Sequence, residues 1–148
     1  MYEFLDYRVC DVMQVDPVTV GPDASLADVE AIFAERDFNA LPVVERSGEM
    51  VGLVTKLDVL KAFRFTEEHM FPPYADIMAQ PVSRVMARDV ATVTPREPLT
   101  RVLQKMLDTR NKSFPVVDDG ALVGVVARED VLAGLRRAAS GEKATGPI

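Results

Sequence analysis

The chain has 148 residues, a net charge of −6 and an apolar share of 48%. That is the composition of a globular protein long enough to bury roughly 70% of the surface its unfolded form would expose. An acidic chain lacks the basic face that displaces counterions from a phosphate backbone, which argues against nucleic acid as a partner.

Cys10 is the single cysteine and cannot close an internal disulfide, and the N-terminal MYEFLDYRV carries neither the basic nor the apolar region of a signal peptide. No apolar run approaches the roughly eighteen residues of a membrane helix. These features predict a cytoplasmic protein without direct membrane insertion.

In chain order, Val9, Val12 and Met13 form a lead-in, and PVTV at 17–20, punctuated by Pro22, reads as a strand. Ser25 with Asp28 is a capping-box signal, and Leu26, Val29 and Phe33 share one face of the helix it starts. An apolar strand LPVVE, a polar turn RSGE and a third strand MVGLVT then lead at Asp58 into a second helix, DVLKAF.

The segment from Lys61 to Gln80 has no counterpart elsewhere. Its Phe63, Phe65, Met70, Phe71 and Tyr74 are too apolar for a free linker, and Pro72-Pro73 is expected to break any helix. It reads as a connection laid over the core, a subunit contact, or a lid or docking element.

After it the same order returns. Val82, Val85 and Met86 match the lead-in, VATV the first strand, and Pro98 suits a first helical position before the stripe Leu99, Val102, Leu103 and Met106. FPVVD, DDGA and LVGVVA lead at Asp130 into DVLAGL. Met13/Met86, Thr19/Thr92, Pro22/Pro95 and Pro42/Pro115 align at one constant offset. Gly52/Gly124 and Asp58/Asp130 follow after a single-residue gap.

This is an internal duplication, and it predicts an α+β fold: two β-α-β-β-α units packed sheet to sheet about a pseudo-twofold axis. The expected division is repeat 1 over 8–64, an inter-repeat segment over 65–80, repeat 2 over 81–137 and a flexible tail over 138–148.

The paired motifs GLVTKLD (52–58) and GVVARED (124–130) carry the chemistry. Asp58 and Asp130 start helices and either cap them or accept hydrogen bonds from the vicinal diol of a ribose. Thr55 adds a hydroxyl to the same place, and the glycine is expected to let backbone approach a ligand.

Together, VM before the first strand, TV followed by Pro, LPVV or FPVV, and the two aspartate motifs resemble a tandem pair of cystathionine-beta-synthase (CBS) domains, a Bateman module, over about residues 8 to 137. The resemblance implies a module that binds an adenine nucleotide (AMP, ADP or ATP), with S-adenosylmethionine or metal ions as rarer ligands, and that regulates an attached or separate effector.

It places adenine against Pro17, Val18, Ala40 and Leu41 in the first copy, and against Val90, Ala91, Ser113 and Phe114 in the second. Phosphate would fall to basic side chains near the central Pro, where the first copy has Asn39 and the second Lys112. Arg110 lies near, and Lys56 and Arg128 stand inside the two aspartate motifs, with Lys112 and Arg128 preferred.

Ala127 replaces Thr55 in the second copy, so two unequal sites are expected. The Asp58 site should fill first unless Lys112 and Arg128 offset the missing hydroxyl. The resemblance also implies a homodimer and an unidentified effector protein. The alternative is an interaction scaffold that binds no small molecule.

An enzyme is not expected: there is no GxxxxGK[ST] loop, GxGxxG, GxSxG or HExxH. His69 beside Glu67 and Glu68 makes a poor metal site, and Cys10 reads as a buried small residue rather than a nucleophile.

Overall fold

The computed structural model describes residues 2–64 and 73–144. The chain divides into two compact units. One is continuous, Val18–Val90; the other is discontinuous, Met1–Pro17 with Ala91–Ile148.

In the continuous unit, helix α1 (Leu26–Glu35) starts from a capping box. Asp28 N–H donates to Ser25 Oγ at 3.1 Å and Ser25 N–H to Asp28 Oδ2 at 3.3 Å, which satisfies two of the donors a helix start leaves unpaired. Strands β1 (Ala40–Val44) and β2 (Met50–Thr55) pair antiparallel, and helix α2 (Lys56–Lys61) follows with no intervening loop. Helix α3 (Tyr74–Met78) closes the unit.

The discontinuous unit repeats the plan with α4 (Leu99–Thr109), β3 (Ser113–Asp118), β4 (Ala121–Ala127) and α5 (Arg128–Ala139). Both hairpins carry an irregularity at the same place, after Val43 and after Val116. Both turn on a glycine with positive φ, Gly48 and Gly120.

The α+β class agrees with expectation, and the hairpin of each unit forms a two-stranded antiparallel sheet. The first strand of each repeat is shorter than expected. PVTV and VATV contribute one parallel bridge each, Val20 to Val43 and Val93 to Val116. Proline at 22 and 95 and the lack of a partner beyond the bridge end the ladder there.

Pro98 is an N-cap rather than the first helical residue. Pro73 likewise caps α3, so a helix begins at Tyr74, directly after the expected break; proline blocks a helix interior but not its start. Phe63 stacks on Tyr74 at 5.8 Å between ring centroids. Phe65, Met70, Phe71 and His69 lie outside the described residues.

Each lead-in packs against the body of the other repeat. Residues 13–14 bridge β4 through Gln14 and Val125, and Ala87 bridges β2 through Leu53. Phe4, Tyr7, Val9 and Val12 therefore enter the core with Leu99, Val102, Phe114 and Val126. Met78, Val82 and Met86 enter the core with Leu26, Val29, Leu41 and Val54.

Tyr7 is fully buried and its hydroxyl donates to the Glu142 carbonyl at 2.9 Å. Arg137 also reaches Glu142, at 3.3 Å. The chain after α5 is thus tied down at least to Glu142, where the composition suggested a free tail.

The motif glycines have a different purpose from the one expected. A Cβ on Gly124 would lie 2.6 Å from the Gln14 carbonyl, and one on Gly52 2.6 Å from Met86 Sδ and 2.9 Å from the Ala87 carbonyl. They admit the chain's own lead-ins. Gly124→Ala is expected to lower the unfolding free energy by about 1–3 kcal/mol through overpacking. Gly21→Ala, whose Cβ would meet only the Val44 carbonyl at 4.0 Å, is expected to change it by less than about 0.5 kcal/mol; urea denaturation of both variants checks this.

Candidate functional site

The two aspartates occupy the same station, the third residue of the helix that leaves the hairpin, and each is only 9% exposed. They are not the N-caps themselves. Thr55 and Ala127 hold that position, with nearly the same backbone: φ −116° and ψ 168° against φ −113° and ψ 170°.

In the continuous unit, Thr55 N–H donates to Asp58 Oδ2 at 2.9 Å and the Thr55 hydroxyl donates to the same oxygen at 3.0 Å. Asp58 N–H returns a bond to Thr55 Oγ1 at 3.2 Å. The carboxylate is locked through Oδ2, and its negative charge complements the helix N-terminus.

Among the described residues nothing donates to Asp58 Oδ1, and that oxygen is not among the fully enclosed unsatisfied atoms. A carboxylate oxygen buried without a partner would be costly. One that is fixed, nearly buried and still open on one side is a prepared acceptor.

In the discontinuous unit the backbone half of the lock is kept: Ala127 N–H donates to Asp130 Oδ2 at 2.8 Å. Alanine has no hydroxyl, so α5 has no side-chain cap. A residue from far off in sequence supplies the second bond instead, Gln14 Nε2–H donating to Asp130 Oδ1 at 2.8 Å.

Gln14 was not among the expected site residues. The repeat alignment does hold a signal for it, because Gln14 and Ala127 in one unit stand where Ala87 and Thr55 stand in the other.

Strand register brings Ala40 opposite Thr55 and Ser113 opposite Ala127, so both half-buried residues adjoin their aspartate motifs. Leu41 and Phe114 are 1% exposed and belong to the two cores, which leaves only their backbone to face a ligand. Pro17, Val18, Val90 and Ala91 lie where the chain passes from one unit into the other. Val18 packs beside the core of the continuous unit.

The basic residues separate into two groups. Lys56 Nζ lies 5.9 Å from the Phe33 ring centroid, in a groove with Glu30, Ala34, Val59 and Leu60. Arg128 donates through Nη2 to the Arg110 carbonyl at 2.7 Å and lines the equivalent groove between α4 and α5, with Leu107, Val131 and Leu132. Lys112 is exposed; its carbonyl accepts Arg128 N–H at 3.0 Å, and its ammonium makes no ion pair among the described residues.

Cys10 is half-buried rather than buried as expected; desolvation, followed by the Asp11 charge, pushes its thiol above the ordinary pKa, which keeps it a poor nucleophile. No group of three His, Cys, Asp or Glu among the described residues is placed to hold a metal, and no described helix is long and apolar enough to cross a membrane.

With this geometry in place, comparison with known proteins gives one answer. The family model described as "CBS domain" matches residues 9–64 and again 82–137. The CBS domain pair of protein MJ0100, solved with 5-methylthioadenosine and S-adenosyl-L-methionine, is 28% identical at a TM-score of 0.65. The match covers 91% of this chain and 97% of that one.

CBSX2, solved in complex with AMP, shares the fold at a TM-score of 0.75 and 24% identity, over 90% of this chain and 98% of that one. A curated relative, the A-adding tRNA nucleotidyltransferase of Aquifex aeolicus, is 29% identical over 88% of this chain. The chain spans only 14% of that protein's length.

The difference in capping generates a stability test. Thr55→Ala is expected to cost about 1 kcal/mol, and Ala127→Thr, placed on a backbone that already suits it, to add a similar amount; equilibrium denaturation of the two single variants reads both signs.

Proposed function

The chain belongs to the CBS domain family, and we propose that it is a regulatory module, not an enzyme, that binds an adenosine-containing ligand at its two aspartate stations and signals to a separate effector protein. The observation that carries this reading is the Asp58 carboxylate. Its Oδ2 is tied to Thr55, while Oδ1 accepts from none of the described residues.

A ribose presents two adjacent hydroxyls, each a donor, and a fixed carboxylate accepts both without rearranging. Thr55 then acts chiefly by holding Asp58, since its hydroxyl proton is already given to Oδ2. The adenosyl ligands of the MJ0100 pair support this choice of ligand class.

Among adenine ligands we favour the nucleotides AMP, ADP and ATP over S-adenosylmethionine. Lys112 is the cation we assign to phosphate. Arg128 and Lys56 have partners in the helix grooves and would reach a phosphate only by giving them up. In the continuous unit Val18 with backbone at Ala40 and Leu41, and in the other unit Ala91 with backbone at Ser113 and Phe114, would bound an adenine.

Regulation needs a ligand that favours one state of the module over another, with the effector reading the difference. The cytoplasm is the setting the composition favours.

The two helix grooves, of about 330 and 360 Å³, are repeat-equivalent and apolar. They expose Leu107, Leu132 and Leu60 by 66%, 61% and 65%. Large side chains displayed together on a helix pair mark an association surface, and we assign them to a homodimer.

Isothermal titration with AMP, ADP, ATP and S-adenosylmethionine tests the ligand reading. Saturable binding is expected, weakened at least about tenfold by Asp58→Ala and by use of 2′-deoxy-AMP in place of AMP, since each removes hydrogen bonds to a charged acceptor. Absence of heat with every ligand, with melting also unmoved, would leave the interaction scaffold as the surviving reading. For the dimer, Leu107→Asp combined with Leu132→Asp is expected to halve the mass measured by light scattering; an unchanged mass would place association elsewhere.

A further inference from the structure

Gln14 is exposed, yet it is held at both ends. Its backbone forms a two-bond antiparallel bridge with Val125, Gln14 N–H donating to the Val125 carbonyl at 2.9 Å and Val125 N–H to the Gln14 carbonyl at 3.0 Å. Gly124 permits that approach. Its side chain crosses to Asp130 and donates to Oδ1 at 2.8 Å. Only the amide nitrogen can donate, so the contact with a carboxylate fixes the orientation of the amide.

The same backbone bridge recurs in the other unit between Ala87 and Leu53. There the side chain is a methyl group, and Asp58 Oδ1 accepts nothing from the described residues. One aspartate is therefore open and its counterpart is occupied from within the chain.

The geometry points to Gln14 as an internal occupant of the Asp130 station, a residue that mimics a ligand hydroxyl and must be displaced before a ribose can bind there. The inference rests on the adenosyl-ligand reading given above.

With Oδ2 engaged by Ala127 N–H and Oδ1 by Gln14, both carboxylate oxygens already carry a donor. An incoming diol exchanges one donor for another, which reduces its net gain. The exposed glutamine can swing into water when released, so the site is closed reversibly.

Two consequences follow for specificity. The Asp130 station answers at higher ligand concentration than the Asp58 station, for a reason separate from the missing hydroxyl at Ala127. Ligand there also frees a side chain on the lead-in, three residues before the chain crosses into the continuous unit.

The test uses AMP as the probe. In an Asp58→Ala background, which leaves Asp130 as the working station, adding Gln14→Ala is expected to tighten AMP binding about five- to tenfold in calorimetry, the worth of one hydrogen bond to a carboxylate partly offset by solvent. Unchanged or weaker binding overturns the proposal, because Gln14 would then be a bystander or a ligand contact.

Proton–nitrogen NMR of the unmutated chain gives a second readout. The Gln14 side-chain amide signals should move toward free-glutamine positions as AMP saturates the weaker Asp130 station, and signals that stay fixed while that station fills overturn it too. Binding confined to Asp58, with none at Asp130 even after Gln14→Ala, defeats the occupant proposal and leaves the ligand reading standing. No AMP binding in any variant defeats both.

Discussion

A carboxylate set almost out of water at a strand-to-helix junction is the constraint around which both units are arranged. Such a group must be satisfied by hydrogen bonds or it destabilises the fold by several kcal/mol. Each unit meets the demand first with the backbone N–H three residues earlier, Thr55 or Ala127. That bond requires β2 and β4 to run straight into α2 and α5 without a loop, and so sets the end of the strand, the start of the helix and the direction of the aspartate together.

The remaining demand is met in two ways, and that is where the symmetry of the duplication breaks. Thr55 satisfies Asp58 from inside the motif and on the oxygen already engaged. Gln14 satisfies Asp130 from outside the motif and on the other oxygen. Each aspartate receives one side-chain donor, but only the first arrangement leaves an outward-facing acceptor. Two exchanges, threonine for alanine in the motif and alanine for glutamine in the lead-in, separate one form from the other.

Much of this was legible in the sequence, and the parts that were not share a physical cause. The duplication, the hairpins, α1 with its Ser25/Asp28 box and the core stripes of α1 and α4 are local patterns, and they survive in the fold. The aspartate stations and the loss of the hydroxyl at Ala127 could also be read directly. What escaped was set by contacts distant in sequence: the pairing of each lead-in with the other repeat's hairpin, the reason for Gly52 and Gly124, and the Gln14 to Asp130 bond across more than a hundred residues. Lys56 and Arg128 show the same limit. Their motif positions placed them beside the aspartates, but side chains on neighbouring helical residues point to different faces, and these two point into the grooves.

The exchanged lead-ins also separate the sequence repeat from the folding unit. Residues 18–90 hold a complete core in one continuous stretch, whereas the other core joins Phe4, Tyr7, Val9 and Val12 to residues beyond 90. Bringing those ends together carries a loop-closure cost that grows only slowly with length, and it is lowered further once the intervening stretch is itself compact. The lead-in at 13–14 joins its unit through β4. It is held by a two-bond bridge and one side-chain bond. An element attached that lightly, and attached directly to the Asp130 carboxylate, is where the chain can open locally without unfolding as a whole. The asymmetry between Gln14 and Ala87 therefore confines that side-chain tie between lead-in and carboxylate to one unit.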